Sequence, residues 1–327
     1  MIGRKNVNEI KKNNIMKKDV IHILMACDRN YAPFYGVLLT SLFINNQDSP
    51  FHIHWITDDT IPQKVKDKFI RLVSANRSEL SLYEIDKSKV TDFPQHGHIN
   101  YAAYYNLKIA DILPADVHRI IYLDGDMIVD GDMRPLWEMD LKGNACAIAL
   151  APDWTDPYHA ERLGYDPKYG YYNNGTMLYD LDYLREINYS EKAIEYVNTE
   201  RNNLCMMDQD VANALLYDKI LRLPLQYNFQ SKFLWKSYWN SYNDDFRQEI
   251  IKAAQHPIII HYSDKRKPWQ IENFNRPYTR VWNKYYWKSP WWGLKRIGYI
   301  RDWAKRILKP YKTKDNIAEE VKFVLKR

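Results

Sequence analysis

The tripeptide Asp124-Gly125-Asp126 offers two carboxylates separated by a residue with no side chain. It closes an apolar run at the centre of the segment IIYLDGDMIVDGD, Ile120 to Asp132. Residues two apart on an extended strand point to the same side, so both carboxylates are expected to converge on one hard cation if the backbone stays extended. Gly125 leaves the main chain open to a ligand. Paired carboxylates at a strand end suit Mg²⁺ or Mn²⁺ held together with the phosphates of a nucleotide substrate. Asp-Gly is also common in plain turns. A second copy, Asp130-Gly131-Asp132, precedes Pro135 and is expected to shape a turn or cap a helix.

His261 follows the apolar run Ile258 to Ile260 and precedes a basic cluster. A lone histidine at a strand end is usually structural, but a neutral imidazole added to two carboxylates gives a mixed oxygen and nitrogen set that leans towards Mn²⁺. Lys267 is placed to neutralise diphosphate oxygens, its plainer role being a solvated charge. Neutralisation of that kind turns a nucleoside diphosphate into a competent leaving group.

The elements around these residues alternate. Val20 to Cys27 reads as a buried strand, followed by a turn at Asp28-Arg29-Asn30 and an apolar helix from Pro33 to about Asn45. Strands are predicted over Phe51 to Thr57 and Leu80 to Ile85, and helices over Pro62 to Ala75 and Tyr101 to Leu113, with a loop at Asp92 to His98. Further strands are expected at Ala145 to Ala151, Thr176 to Tyr179 and Ile258 to His261, and a helix opening at Met207 with Asp208 as its N-cap. This order predicts an α/β fold with a mostly parallel central sheet flanked by helices. Ligands of such sheets bind beyond the carboxyl ends of the strands, where Asp28, Tyr31, Asp124 and Asp126 fall. Neither a Gly-x-Gly-x-x-Gly turn nor a Gly-Lys-Ser phosphate loop accompanies the first strand, which argues against a dinucleotide or P-loop site.

The 327 residues fit one large domain with an appendage: a disordered extension over 1–17, a catalytic domain over 18–285 and a basic aromatic helical tail over 286–327. The chain carries 26 Tyr and 11 Trp, whose rings suit stacking on sugar faces, although packing accounts for most of them. Net charge is +6, concentrated near both ends; Lys288 to Lys312 holds eight basic residues against Asp302 alone. Leu294, Ile297, Ile300, Ala304 and Ile307 fall on one helical face with Lys295, Arg296, Arg301, Lys305 and Arg306 elsewhere. That pattern fits a helix lying in an anionic membrane interface, or equally one packed on its own domain with a solvated basic face. No nucleic-acid motif accompanies the charge, so nucleic acid is not an expected partner. Cys27, Cys146 and Cys205 sit in largely apolar sequence and read as reduced core residues of a cytoplasmic protein. With no apolar run of about 18 residues and no secretory leader, the expected location is the cytoplasm, with the tail allowing peripheral attachment to the inner face of the membrane.

Five stretches together carry a resemblance: MACDRNY at Met25 to Tyr31, YLDGDMIV at Tyr122 to Val129, YYNNGTMLYDL at Tyr171 to Leu181, MDQDVANALL at Met207 to Leu216 and HYSDKRKPW at His261 to Trp269. In this order, over about residues 20–270, the chain resembles glycosyltransferase family 8, which includes bacterial lipopolysaccharide galactosyl- and glucosyltransferases and, more distantly, glycogenin. The resemblance implies a GT-A fold, a UDP-hexose donor, Mn²⁺ (or Mg²⁺), a glycan or glycolipid acceptor and retention of anomeric configuration. It implies that Ala26, Asp28 and Tyr31 hold the uridine, that Asp124, Asp126 and His261 ligate the metal, and that Gly125 and Lys267 serve the diphosphate. Asn173, Asp208 and Gln209 would surround the donor sugar, with Asp153 a looser candidate on the acceptor side.

The chain departs from the family pattern at two positions. Asn106 stands where an arginine usually touches donor phosphate and sugar, and Asp264 stands where a glycine usually lets the backbone approach the diphosphate. Lys265 and Arg266 are placed to offset the second change. An uncharged amide is a poor nucleophile, so Gln209 does not favour double displacement. Front-face transfer, with Asp208 stabilising positive charge on the sugar and the leaving phosphate deprotonating the acceptor, is the expected route. A catalytically weak sugar-nucleotide-binding protein of the same fold, or another metal-dependent nucleotide-processing enzyme, are the alternatives.

Overall fold

Among the described residues eleven strands carry the fold. In chain order they are β1 (Arg4–Asn6), β2 (Ile21–Ala26), β3 (Phe51–Thr57), β4 (Glu79–Glu84), β5 (Arg119–Leu123), β6 (Met127–Val129), β7 (Cys146–Leu150), β8 (Tyr172–Asp180), β9 (Ile220–Arg222), β10 (Phe229–Gln230) and β11 (Ile259–His261). The computed structural model describes residues 4–6, 19–85, 101–264, 267–270, 276–293 and 317–326. The loop at Asp92 to His98, Lys265 and Arg266, the tail helix expected over Leu294 to Ile307 and all of the 1–17 extension but Arg4–Asn6 lie outside the described residues.

Two units organise the chain. The first comprises residues 1–32, 47–125 and 133–223, and the second 33–46, 126–132 and 224–327. The first unit holds an eight-stranded sheet in the order β1-β4-β3-β2-β5-β8-β7-β9. Its centre is parallel, β4 to β3 to β2 to β5, and β9 runs parallel to β7, while β1 and β8 are antiparallel to their neighbours. This is the expected α/β architecture: parallel strands need long crossovers, here helices such as Gln63–Ala75 between β3 and β4, and their near-continuous apolar sequences reflect burial.

In the second unit β10, β11 and β6 form a three-stranded sheet. Helix Ala32–Asn45 anchors β6 through its side chains: Ser41 Oγ accepts from the Val129 amide at 2.9 Å, and Asn45 Nδ2 donates to the Val129 carbonyl at 2.9 Å. Tyr285, on helix Thr279–Lys288, donates to Asp130. The second Asp-Gly-Asp thus packs inside this unit, with Gly131 against Ile258, rather than capping a helix. Residues after 316 return to the same unit: Ile317 bridges Trp235, and Val321 is buried. Among the described residues no helix is long and apolar enough to cross a membrane.

Four local expectations differ from the structure. The strand through the first Asp-Gly-Asp is not continuous: β5 ends at Leu123, Asp124 donates its amide to the Gly175 carbonyl, and the chain turns into β6, which pairs with β11 instead. The segment Tyr101–Lys108 winds as a 3-10 helix before a single α-turn, Ile109–Ile112, in place of one α-helix. The tight winding accompanies Tyr105 and Asn106, whose side chains are drawn to Asp58 and Asp208. The strand expected from Thr176 begins earlier, at Tyr172, so Asn173 and Asn174 belong to β8. Cys205 is exposed, because the loop before helix Asp208–Leu216 turns outward there, whereas Cys27 and Cys146 are buried.

Gly36, inside helix Ala32–Asn45, lies against the buried ring of Trp291; a Cβ added there would overlap the ring. Gly36→Ala gains about 1 kcal/mol of helix propensity but forces an overpacked ring costing about 1–3 kcal/mol. Net destabilisation is expected, read as a lower urea midpoint with an unchanged slope.

Candidate metal and nucleotide-sugar site

Strand pairing assembles the first half of the site. In the β6–β11 register His261 lies opposite Met127, and the Tyr262 amide donates to the Asp126 carbonyl at 3.0 Å. Asp126 is therefore delivered to the imidazole by the neighbouring strand, across 135 residues of sequence. His261 Nδ1 meets Asn228 Oδ1 at 2.9 Å. An amide oxygen only accepts, so Nδ1 carries the proton and Nε2 is turned to Asp126 Oδ1 at 3.3 Å. Lys267 Nζ donates to Asp126 Oδ2 at 2.5 Å and to the Tyr262 carbonyl at 2.8 Å. Burial opposes ionisation of Asp126, but Lys267 and His261 outweigh it and hold the carboxyl well below the usual carboxylate range.

Asp124 is joined to Asp126 by one glycine, and its Oδ1 accepts from the Tyr122 hydroxyl at 2.6 Å. One ligand atom from each of Asp124, Asp126 and His261 lies within 4.8 Å of the other two. Local geometry accounts for this: the turn at Gly125 brings the carboxylates together without an extended strand, and pairing of β6 with β11 adds the ring. Two carboxylates, one partly exposed, with an imidazole whose far nitrogen is already anchored make a donor set that fits Mn²⁺ or Mg²⁺. The convergence expected along an extended strand is reached instead through a turn.

The remaining candidates stand in the first unit. Ala26 ends β2, and Tyr31 is exposed just before helix Ala32–Asn45. Asp28 Oδ1 accepts from the amides of Asn30 and Tyr31 at 3.0 and 3.1 Å, which shapes the turn beyond the strand. Asn173 and Asn174 are aimed by a break in the β7–β8 register, which jumps from Ile148 opposite Met177 to Ala149 opposite Asn173. Of the bulged residues Asn174, Gly175 and Thr176, Asn174 reaches helix Asp208–Leu216. There Asn173 Nδ2 donates to Gln209 Oε1 at 2.8 Å, while Asn174 Nδ2 at 2.6 Å and Asn106 Nδ2 at 2.7 Å both donate to Asp208 Oδ2.

Asp208 is not the N-cap of its helix. Met207 occupies that position with φ 48°, and Asp208 is the first helical residue, its carboxyl committed to the two asparagines. Burial, with the charge of Asp124 nearby, pushes the Asp208 carboxyl up to about 7. Asp210, two residues on, clamps the loop instead. It takes a two-pronged pair from Arg162 at 2.9 Å, the Tyr171 hydroxyl at 2.6 Å and the amides of Cys205 and Met206.

Asp153 pairs with His159 at 3.1 Å. Asp264 is nearly buried and engaged by Arg276 at 2.6 Å, so its charge is answered inside its own unit. Sequence reasoning missed Tyr122, Asn174, Asn228 and Arg276, which orient the candidates. Asn174 lies within the Tyr171 to Leu181 stretch, and Tyr122 is two residues from Asp124; Asn228 and Arg276 have no spacing signal at all.

The family model for glycosyl transferase family 8 matches residues 22–272. The chain belongs to glycosyl transferase family 8. It is 27% identical over 280 residues to general stress protein A of Bacillus subtilis (strain 168), covering 84% of this chain and 96% of that one. It is 28% identical over 265 residues to a lipopolysaccharide 1,2-glucosyltransferase of Escherichia coli (strain K12), covering 78% of this chain and 75% of that one. The crystal structure of the galactosyltransferase LgtC in complex with donor and acceptor sugar analogs superposes with a TM-score of 0.72 at 19% identity, over 83% of this chain and 96% of that one. That likeness identifies the fold as GT-A.

The Asp208 carboxyl has a direct consequence for stability. In the unfolded chain it titrates near 3.8, in the folded metal-free protein at about 7. Between those values the folded state binds more protons, so the stability contribution is full below the lower value and is lost as pH rises through the upper one. Asp208→Asn is expected to remove that downward slope, measured by urea unfolding across the window in chelator.

Proposed function

We propose that the protein is a retaining hexosyltransferase that moves galactose or glucose from a UDP-sugar to a cell-envelope glycan acceptor. The observation that carries the reading is the convergence of Asp124, Asp126 and an anchored His261. In this reading the three hold Mn²⁺ or Mg²⁺. Bound there, the ion would neutralise the diphosphate and make UDP a better leaving group. Lys267, now on Asp126, is the cation available to the phosphate oxygens. Asp264 does not oppose them, since Arg276 holds its carboxylate.

Ala26, Asp28 and Tyr31 serve the uridine in this reading, beyond the end of β2. Asn173, Gln209 and Asp208 face the sugar. The Gln209 amide, oriented by Asn173, has no charge with which to attack the anomeric carbon, which supports front-face transfer. Ionised Asp208 would stabilise positive charge developing on the sugar ring. The acceptor reading rests on relatives such as the E. coli lipopolysaccharide 1,2-glucosyltransferase.

A thermal-shift panel of UDP-galactose, UDP-glucose, UDP-N-acetylglucosamine and GDP-sugars with Mn²⁺ ranks donors, because a ligand of the native state raises the melting temperature. A UDP-hexose is expected to give the largest shift, and Asp126→Ala to lower its metal-dependent turnover at least about 100-fold. Full turnover by that variant would refute the metal role. Binding without turnover in the wild type would support a sugar-nucleotide-binding protein instead.

We also place the protein at an anionic membrane surface on the cytoplasmic side. Trp287 and Trp292 are exposed, and the basic residues Lys295 to Arg306 follow them in sequence. Deleting the whole tail would strip buried Ile317 and Val321 from the second unit. Charge reversal is the cleaner test. Replacing Lys295, Arg296, Arg301, Lys305 and Arg306 by Glu is expected to release the protein from anionic liposomes while UDP binding persists. Unchanged liposome binding would remove the attachment.

A further inference from the structure

We propose that His22, His52 and His54 form a second metal site, suited to a nitrogen-seeking divalent ion of the Zn²⁺ class. The site lies on the sheet of the first unit, near the amino ends of β2 and β3. Asp28 follows the opposite end of β2, six residues and roughly 20 Å of strand away. The inference is independent of the glycosyl-transfer reading.

Register builds the cluster. β2 and β3 run parallel with His22 opposite His52 and Leu24 opposite His54, so alternation places all three rings on one face. β4 adds Glu79 opposite His52 and Ser81 opposite His54 on that same face. One nitrogen from each histidine lies within 4.8 Å of the other two, and His22 Nδ1 is 2.9 Å from His54 Nε2. Two ligands of a tetrahedral zinc at about 2.0–2.1 Å stand roughly 3.3 Å apart, so a small ring adjustment admits an ion.

The outer nitrogens are anchored as metal-binding histidines usually are. Tyr83 Oη lies 2.9 Å from His54 Nδ1, which leaves Nε2 on the His22 side. Ser81 Oγ lies 2.8 Å from His52 Nε2, which leaves Nδ1 for an ion. Glu79 Oε2, 3.9 Å from that Nδ1, supplies a carboxylate at the rim for a fourth position. Burial, then the neighbouring His52, push His22 down to about 4. His22 and His52 are half-buried, so an ion can enter, while His54 is fully buried.

Imidazole nitrogens favour Zn²⁺, Ni²⁺ and Cu²⁺ over Mg²⁺ and Mn²⁺, whereas the Asp124 and Asp126 carboxylates favour the second group. The two clusters would therefore sort ions by chemistry. An ion on the histidines would tie β2 to β3 and stabilise the folded first unit.

The test compares wild type, Asp126→Asn, which weakens the carboxylate site, and the double variant His22→Gln/His52→Gln made in the Asp126→Asn background, which spares buried His54. Zn²⁺ at about a hundredfold above its dissociation constant is expected to raise the melting temperature by roughly 5 °C in the first two proteins and not in the third. Co²⁺ should give visible ligand-field absorption in wild type and Asp126→Asn, and that absorption should vanish in the double variant. Should the double variant not fold, His52→Gln alone takes its place. No Zn²⁺ shift and no Co²⁺ absorption in Asp126→Asn, or both retained without the histidines, would overturn the site and leave a hydrogen-bonded stack of neutral rings.

Discussion

A nearly buried carboxylate governs the structure around the candidate site. Asp126 is only 7% exposed, and an ionised group so placed is tolerated only where charges and hydrogen bonds answer it. Lys267 supplies that answer, with the His261 ring alongside. Their positions follow from a three-stranded sheet whose members come from opposite halves of the sequence. The pairing of β6 with β11 sets the distance between Asp126 and the imidazole, Asn228 sets the tautomer, and helix Ala32–Asn45 holds β6 in place through Ser41 and Asn45. Each of these contacts is short-range, so small displacements would leave the carboxylate without a partner.

The first unit solves a similar problem with neutral groups. Asp208 is held by two asparagine amides, and burial, with the charge of Asp124 nearby, pushes its carboxyl up to about 7 despite them. Asp210, two residues away, is answered by a bidentate guanidinium and a tyrosine hydroxyl. One short helix start thus holds two carboxylates with quite different partners. The bulge in β8 makes the first arrangement available, because without the register jump Asn174 would follow the ordinary alternation of the strand.

Much of the fold was legible in sequence. Strands β2, β3, β4, β7 and β11 fall within a residue or two of the predicted segments, as do helices Ala32–Asn45 and Gln63–Ala75. These elements are legible because apolar periodicity and Pro, Gly or Asp punctuation are local signals. Errors came where a contact distant in sequence decides local shape. Examples are the turn at Asp124 to Asp126, the 3-10 winding of Tyr101–Lys108 and the N-cap shift from Asp208 to Met207.

Family membership was likewise carried by residue types in order, which the sequence holds in full. By itself the sequence determined the α/β alternation, the apolar strands that must be buried and the identities of the acidic, amide and imidazole side chains available for chemistry. Tertiary structure alone decided which of them meet. It turned an assumed extended strand into a turn between sheets, set Asn228 behind His261, closed Arg276 on Asp264, and stacked His22 with His52 and His54 across two parallel strands. The reason is physical: propensity and periodicity act over a few residues, whereas the answering of a buried charge depends on whichever group the folded chain brings within about 3 Å.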